Sequence, residues 1–259
     1  EVESEDGMCE ARVVHEVLND VVVAHREQVV HGIRTGDALA AAQCVGRWFD
    51  PSGSLRVGRG QRRRCRSVAP RSTAETQAGE GALAWDHAQA VGSIGVTGTS
   101  AAMRAAREAD LVIGIGTRLQ DFTTGSRTLF GGTLFQVNVA PADTVKHGAH
   151  GVLGDARAVV AALADRLRDW QTPTAWQEAN TVAVAVWNRA FEAATAPGNA
   201  RPSDAQVIGA VWRQAADDAV VVCAAGGLPG ELHKLWRTKT PCGYHVEYGY
   251  SCMGYEIAG

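Results

Sequence analysis

Short apolar runs alternate with helix-patterned stretches between residues 93 and 170, and this alternation constrains the fold more than any other feature of the chain. "ADLVIGIGTR" holds a five-residue apolar run, Leu111–Ile115, closed by Gly116. Its length and Val/Ile content predict a buried strand followed by a tight turn. "LFQVNVAP" predicts a second strand, stopped by Pro141. "GVLGDARAVVAALADRLRDW" predicts a short strand, then a helix with Asp155 as N-cap and Val159, Leu163 and Leu167 on one face. Ahead of these, "SIGVTGTSAAMRAAREA" reads as a Gly-punctuated loop entering an Ala-rich helix. Strands alternating with helices predict a doubly wound α/β domain with a parallel sheet, spanning residues 74–168.

The flanking regions read differently. Residues 169–202 have some helical content and end in a Pro/Gly/Asn cluster, which marks a connector between domains. The α/β rhythm restarts at 203–259. Ser203 and Gln206 make a capping-box pattern ahead of Val207, Ile208, Val211 and Trp212, and "DAVVVCAAGG" is a buried strand running into paired glycines. Residues 1–72 are atypical. Seven arginines fall within residues 56–71, among Pro, Gly and Ser. A basic nucleic-acid-binding arm and a reading frame restored near Thr73 both fit that composition. The expectation adopted is a poorly ordered, solvated segment, because basic low-complexity runs rarely build a core.

Composition narrows the function classes. Hydrophobic residues make up 46% and charged residues 20% of the 259, as in globular proteins, and the formal net charge of −3 argues against nucleic acid as the main partner. No apolar run approaches the roughly 20 residues of a membrane span, so no membrane partner is expected. The acidic start "EVESEDGMCEARVV" has no basic n-region or apolar h-region. Six scattered cysteines with no CxxC pair point to a reducing, cytoplasmic setting and no zinc site.

Two stretches sit where α/β sheets do chemistry. "AVVVCAAGGLPG" places Gly226 and Gly227 at a strand's carboxyl end, where backbone N–H groups can approach a phosphate; an ordinary strand-to-loop turn has the same sequence. "GIGTRLQDFTTGS" places Arg118 and Asp121 past another strand end, with Thr124 and Gly125 behind them. It suits a nucleotide, or equally an Arg–Asp pair that orders the loop. There is no GxGxxG, which leaves a Rossmann nicotinamide site without support, and no GxSxG elbow. His147 and His150 lack a carboxylate ligand set. Cys252, near Tyr250 and Tyr255, reads as a buried inert thiol rather than a nucleophile.

The strings "AETQAGEGALAWDH", "GSIGVTGTSAA", "ADLVIGIGTRLQDFTTGSRTLF" and "AAGGLPGELHKLWRTKTPCGYHVEYGYSCMGYEIAG" resemble the thiamine-diphosphate-dependent hydrolases that open a trihydroxycyclohexane-1,2-dione in myo-inositol catabolism. The resemblance runs over residues 74–259, weakly in the connector, and does not include residues 1–72. It implies that 74–168 is the central α/β domain of a three-domain enzyme and that 203–259 opens the diphosphate-binding domain. It implies thiamine diphosphate and Mg²⁺ as cofactors, with Gly226, Gly227 and Leu228 at the diphosphate. Gly249, Tyr250, Ser251, Cys252, Met253 and Gly254 would line the cleft. Ser251 would meet the aminopyrimidine through its main chain, and Met253 would be the apolar prop that holds the cofactor bent. It implies a small cyclic dione as substrate, 5-deoxyglucuronic acid as product and a homo-oligomer in the full-length enzyme. The family's Gly-Asp-Gly…Asn metal motif and proton-relay glutamate have no match here. The chain is therefore expected to lack its metal ligands and catalytic residues and to be incomplete and inactive by itself. "GTRLQDFTTG" also resembles the flavin-contacting loop of acetolactate synthases, although no flavin is expected in the hydrolases. The alternative is a non-catalytic nucleotide- or flavin-binding α/β module.

Overall fold

The computed structural model describes residues 72–166, 172–198, 201–247, 250 and 252–258, together with the backbone of residues 20–24. Six strands form the main sheet: β1 (Asp20–Ala24), β2 (Ser72–Glu75), β3 (Ala90–Ser93), β4 (Leu111–Ile115), β5 (Thr133–Asn138) and β6 (His150–Leu153), in the order β3-β2-β1-β4-β5-β6. β2 pairs parallel with β3, β4 with β5, and β5 with β6. Helix α1 (Ser100–Glu108) follows β3, the one-turn helices α2 (Asp121–Thr124) and α3 (Pro141–Thr144) follow β4 and β5, and α4 (Ala156–Arg166) follows β6.

β4 shows why this sheet is doubly wound. Leu111, Ile113 and Ile115 face one way, into a core with Phe135, Val137, Ala156 and Val159. Val112 faces the other way, into a core with Ala102, Ala105 and Ala106 of α1 and Leu134 of β5. A strand buried on both faces must be apolar at every position, which is what its sequence shows. The helix starts follow local chemistry. Thr99 Oγ1 accepts from Ala102 N at 3.1 Å to cap α1, and Asp155 Oδ1 accepts from Ala158 N at 3.0 Å at the start of α4, as expected. Pro141 occupies the first turn of α3 rather than ending β5, which stops at Asn138.

β1, from the 1–72 segment, lies antiparallel between β2 and β4, whereas the other three pairings of the sheet are parallel. β2 and β4 do not pair with each other, so each has one side whose backbone donors and acceptors need a partner strand. "DVVVA", with three consecutive β-branched residues, supplies both ladders at once. The rest of 1–71, the arginine run included, lies outside the described residues, as does Leu167.

The connector is largely one 22-residue helix, α5 (Thr174–Thr195). Its first half packs Trp176 and Val184 against the α1 core, and its second half buries Phe191 with Ile208 and Leu235. It thus joins the sheet domain to a second α/β unit of α6 (Asp204–Gln214), β7 (Val221–Cys223), α7 (Gly227–Leu235), β8 (Tyr244–Val246) and α8 (Tyr255–Ala258). The Ser203/Gln206 capping box is present at α6. Of its expected apolar face Ile208 is buried, whereas Val207 and Val211 are exposed. β7 and β8 are adjacent and parallel, in the register Val221↔Tyr244 to Cys223↔Val246.

Candidate cofactor and ligand site

The two stretches singled out near the end of the sequence emerge from the same sheet edge. "AAGG" follows the carboxyl end of β7, and "EYGYSCMGYE" follows the carboxyl end of β8, its parallel neighbour. Gly226 precedes α7 with φ 144° and ψ −170°, a backbone region open essentially only to glycine. No side chain caps the nine-residue α7, and a Cβ placed on Gly227 would meet nothing within 4 Å. The first N–H groups of α7 therefore lie beside open space, an arrangement suited to an anion. Leu228 is 44% exposed, Tyr250 89% and Met253 84%, so these side chains are not consumed by the core. Gly254, with φ 93°, turns the chain into α8. Gly249 and Ser251 lie outside the described residues.

Cys252 corrects an expectation: it is exposed, not buried. A hydrogen bond with Glu247 pushes its thiol pKa up, which disfavours thiolate at neutral pH.

Of the two readings of the loop after β4, the Arg118–Asp121 ion pair does not form among the described residues. Arg118 instead lines a cavity of about 680 Å³ beyond the carboxyl ends of β2 to β5. Thr76 and Thr97 follow β2 and β3, Thr117 and Arg118 follow β4, and Asn138 ends β5. The opposite wall comes from the second unit, including His245, Glu247 and Tyr255. The His245 Nε2 and Tyr255 Oη atoms are hydrogen-bonded to each other. Open α/β sheets place ligand crevices at such strand ends, where the winding direction reverses. His147 and His150 serve structure: His147 Nε2 donates to Leu119 O at 2.7 Å, and His150 stacks on Phe135 at 4.9 Å.

Beneath this cavity a buried polar seam joins the two units. Glu75, Glu80, His233, Cys223 and Tyr244 are all less than a tenth exposed. Glu75 accepts from Leu83 N at 2.8 Å, yet burial still pushes its carboxyl up to about 7. Burial and the neighbouring Glu75 raise Glu80 well above the ordinary carboxyl value, and its Oε2 has no hydrogen-bond partner among the described residues. Burial likewise raises the Cys223 thiol and the Tyr244 phenol. His233, on α7, meets Thr97 Oγ1 at 2.7 Å and accepts from Ser93 Oγ through its backbone carbonyl. Burial pushes the imidazole down to about 4, so it is neutral at pH 7. Sequence reasoning missed this seam. Its members lie up to 169 positions apart (Glu75 to Tyr244) and share no motif.

Residues 71–163 match the family described as thiamine pyrophosphate enzyme, central domain. Among curated proteins, the chain is similar to the 3D-(3,5/4)-trihydroxycyclohexane-1,2-dione hydrolase of Shouchella clausii, with 39% identity over 213 residues, covering 71% of this chain and 33% of that protein. The proteins of the same name from Listeria monocytogenes serotype 4b and Geobacillus thermodenitrificans are 40% and 41% identical, covering 71% and 72% of this chain and 33% of each relative. The chain thus spans about a third of the length of these relatives.

Proposed function

We propose that this chain, whose residues 71–163 are the central domain of a thiamine pyrophosphate enzyme, is part of a hydrolase that opens trihydroxycyclohexane-1,2-dione to 5-deoxyglucuronic acid. The observation that carries this reading is the repeated similarity, at 39–41% identity across 71–72% of the chain, to hydrolases named for that dione. The geometry supports it. The glycine-led start of α7 and the aromatic, Met-bearing segment after β8 leave adjacent parallel strands on one edge. One can hold a diphosphate while the other reaches its rings.

When bound, thiamine diphosphate supplies the electron sink that C–C cleavage requires. Gly226, Gly227 and Leu228 would hold the diphosphate through backbone N–H groups, because the open space at Gly227 admits a phosphate oxygen where a side chain would intrude. Tyr250, Cys252, Met253 and Gly254, with Gly249 and Ser251, would line the ring end, and Met253 would supply the apolar prop. Mg²⁺ would accompany the diphosphate. Among the described residues no group of three or more His, Cys, Asp or Glu side chains is placed to hold a metal, so no ligand is assigned to it. The full-length enzyme would be a homo-oligomer acting in the cytoplasm. No helix among the described residues is long and apolar enough to cross a membrane.

Calorimetric titration of the chain with thiamine diphosphate and Mg²⁺ tests the cofactor assignment. Binding is expected, weakened at least tenfold, or about 1.4 kcal/mol, by Gly227→Asp, which puts a carboxylate where the phosphate lies. The variant's melting temperature should stay near the parent's, because a Cβ there meets no neighbour. No heat of binding, or equal affinity in the variant, overturns the assignment.

A further inference from the structure

Helix α7, whose start is the proposed seat of the diphosphate, is held by a loop of the sheet domain. Ser93 ends β3, and Thr97 lies on the loop that follows. Ser93 Oγ donates to the backbone carbonyl of His233 in the last turn of α7. Thr97 Oγ1 and His233 Nδ1 are hydrogen-bonded at 2.7 Å. Three residues earlier on the helix, a Cβ added to Gly230 would lie 3.2 Å from Thr97 Cγ2, so glycine lets the loop approach closely. The loop itself has little room to give. Ile94 N donates to Glu75 O at 2.8 Å, and Val96 N donates to Phe122 O at 2.7 Å, which ties it to β2 and to α2. Thr99 N donates to Ser93 O at 2.8 Å and closes the turn. Gly95, with φ 112°, packs so tightly that a Cβ would lie 2.3 Å from Phe122 O.

This grip is directional where the rest is not. α7 also packs Leu232 and Leu235 into the apolar cluster with Phe191 and Ile208. Apolar contacts have no preferred direction, whereas hydrogen bonds to His233 fix the helix in rotation and along its axis. Burial keeps the imidazole neutral at pH 7, so its link to Thr97 is a short-range bond that depends on geometry. At the amino end no side chain caps α7, and Pro229 has no N–H. The donors left for an anion are the amides of Gly226, Gly227 and Leu228. With so few donors, each weakening steeply as it is misaligned, the aim of the helix decides affinity. A helix already held in that aim spares the ligand the cost of ordering it. We infer that Thr97 and Ser93 are positioning residues for the cofactor: through His233 they fix the aim of α7, so that the sheet domain sets how tightly the second unit holds a diphosphate. The inference deepens the cofactor assignment above and rests on it.

The test is calorimetric titration of the parent chain, Thr97→Val and Thr97→Ser with thiamine diphosphate and Mg²⁺, each well below its melting temperature. Amide exchange of the unliganded proteins is measured alongside. Valine puts a methyl group where the hydroxyl was and breaks the link to His233; serine keeps the hydroxyl. Thr97→Val should bind about tenfold more weakly, because it leaves a buried nitrogen without its partner. Its α7 amides should exchange faster, while those of β4 and β5 keep their protection. Thr97→Ser should bind within about twofold of the parent. Serine removes more packing volume than valine does, so a role in packing alone would rank the two variants the other way. Thr97→Val binding as tightly as the parent, Thr97→Ser failing alongside it, or weaker binding with unchanged α7 exchange overturns this inference and leaves the cofactor assignment standing. A parent chain that binds no thiamine diphosphate overturns the cofactor assignment, and this inference with it.

Discussion

Two carboxyl groups and an imidazole in the seam make stability depend on pH in opposite senses. Glu75 is raised from an ordinary 4.5 to about 7, so the folded protein holds a proton that the unfolded chain releases. Its contribution is complete below about 4.5 and is lost as pH rises through 7. Glu80 is shifted the same way by burial and by the neighbouring Glu75, and adds to that loss. His233, lowered from 6.5 to about 4, stays neutral when folded, and its contribution is present above 6.5 and lost as pH falls through 4. The effects oppose each other between 4.5 and 6.5. Above 6.5 the carboxyls act alone, so the urea midpoint should fall between pH 6.5 and 8. Glu80→Gln should flatten that slope and raise the midpoint at pH 8, because the amide keeps the shape without the buried charge. A midpoint that rises over this window, or an unchanged slope in the variant, contradicts the assignment of two buried carboxyls held protonated by lost solvation.

Among the elements, α5 and its contact with α6 hold the two units together. Gly209 of α6 packs so closely on Thr195 of α5 that a Cβ there would lie 2.3 Å from the threonine Cβ. Thr195 is fully buried and its Oγ1 donates to Phe191 O at 2.9 Å, so it has no room to withdraw. Arg237 reinforces the joint, its guanidinium 3.5 Å from the Phe191 ring centroid and its Nη1 2.8 Å from Glu192. Gly209→Ala should therefore force the helices apart and lower the unfolding free energy by about 1–3 kcal/mol, despite alanine's better helix propensity. Chemical denaturation measures this, and a stabilised variant would show that the helices separate freely.

For the whole molecule, the sheet depends on β1 because it supplies both inner ladders between β2 and β4. Val22→Pro at its centre removes a donor and fixes φ in a strand with neighbours on both sides, a position where proline is not tolerated. The expected cost is about 3 kcal/mol or more, with faster amide exchange in β2 and β4 together. Exchange that leaves both strands as protected as before would show that the sheet holds without β1.

The sequence by itself determined what local pattern can carry: the α/β alternation of 74–168, the caps at Asp155 and Ser203, the strand over Leu111–Ile115 and, through strings that remain contiguous, the resemblance to thiamine-diphosphate-dependent hydrolases. It also marked the glycines before α7, because a backbone region closed to side chains is written directly as glycine. Tertiary structure alone decided which ends meet. "DVVVA" is an ordinary β-branched run until β2 and β4 each pair with it from opposite sides. Arg118 reads equally as a nucleotide contact or as half of an ion pair, and the fold places it in the lining of a cavity, unpaired with Asp121 among the described residues. Glu75, Glu80 and His233 look like surface residues, as charged residues usually are. Packing of the second unit on the strand ends removes their water, and a pKa set by lost solvation depends on neighbours that sequence order does not record.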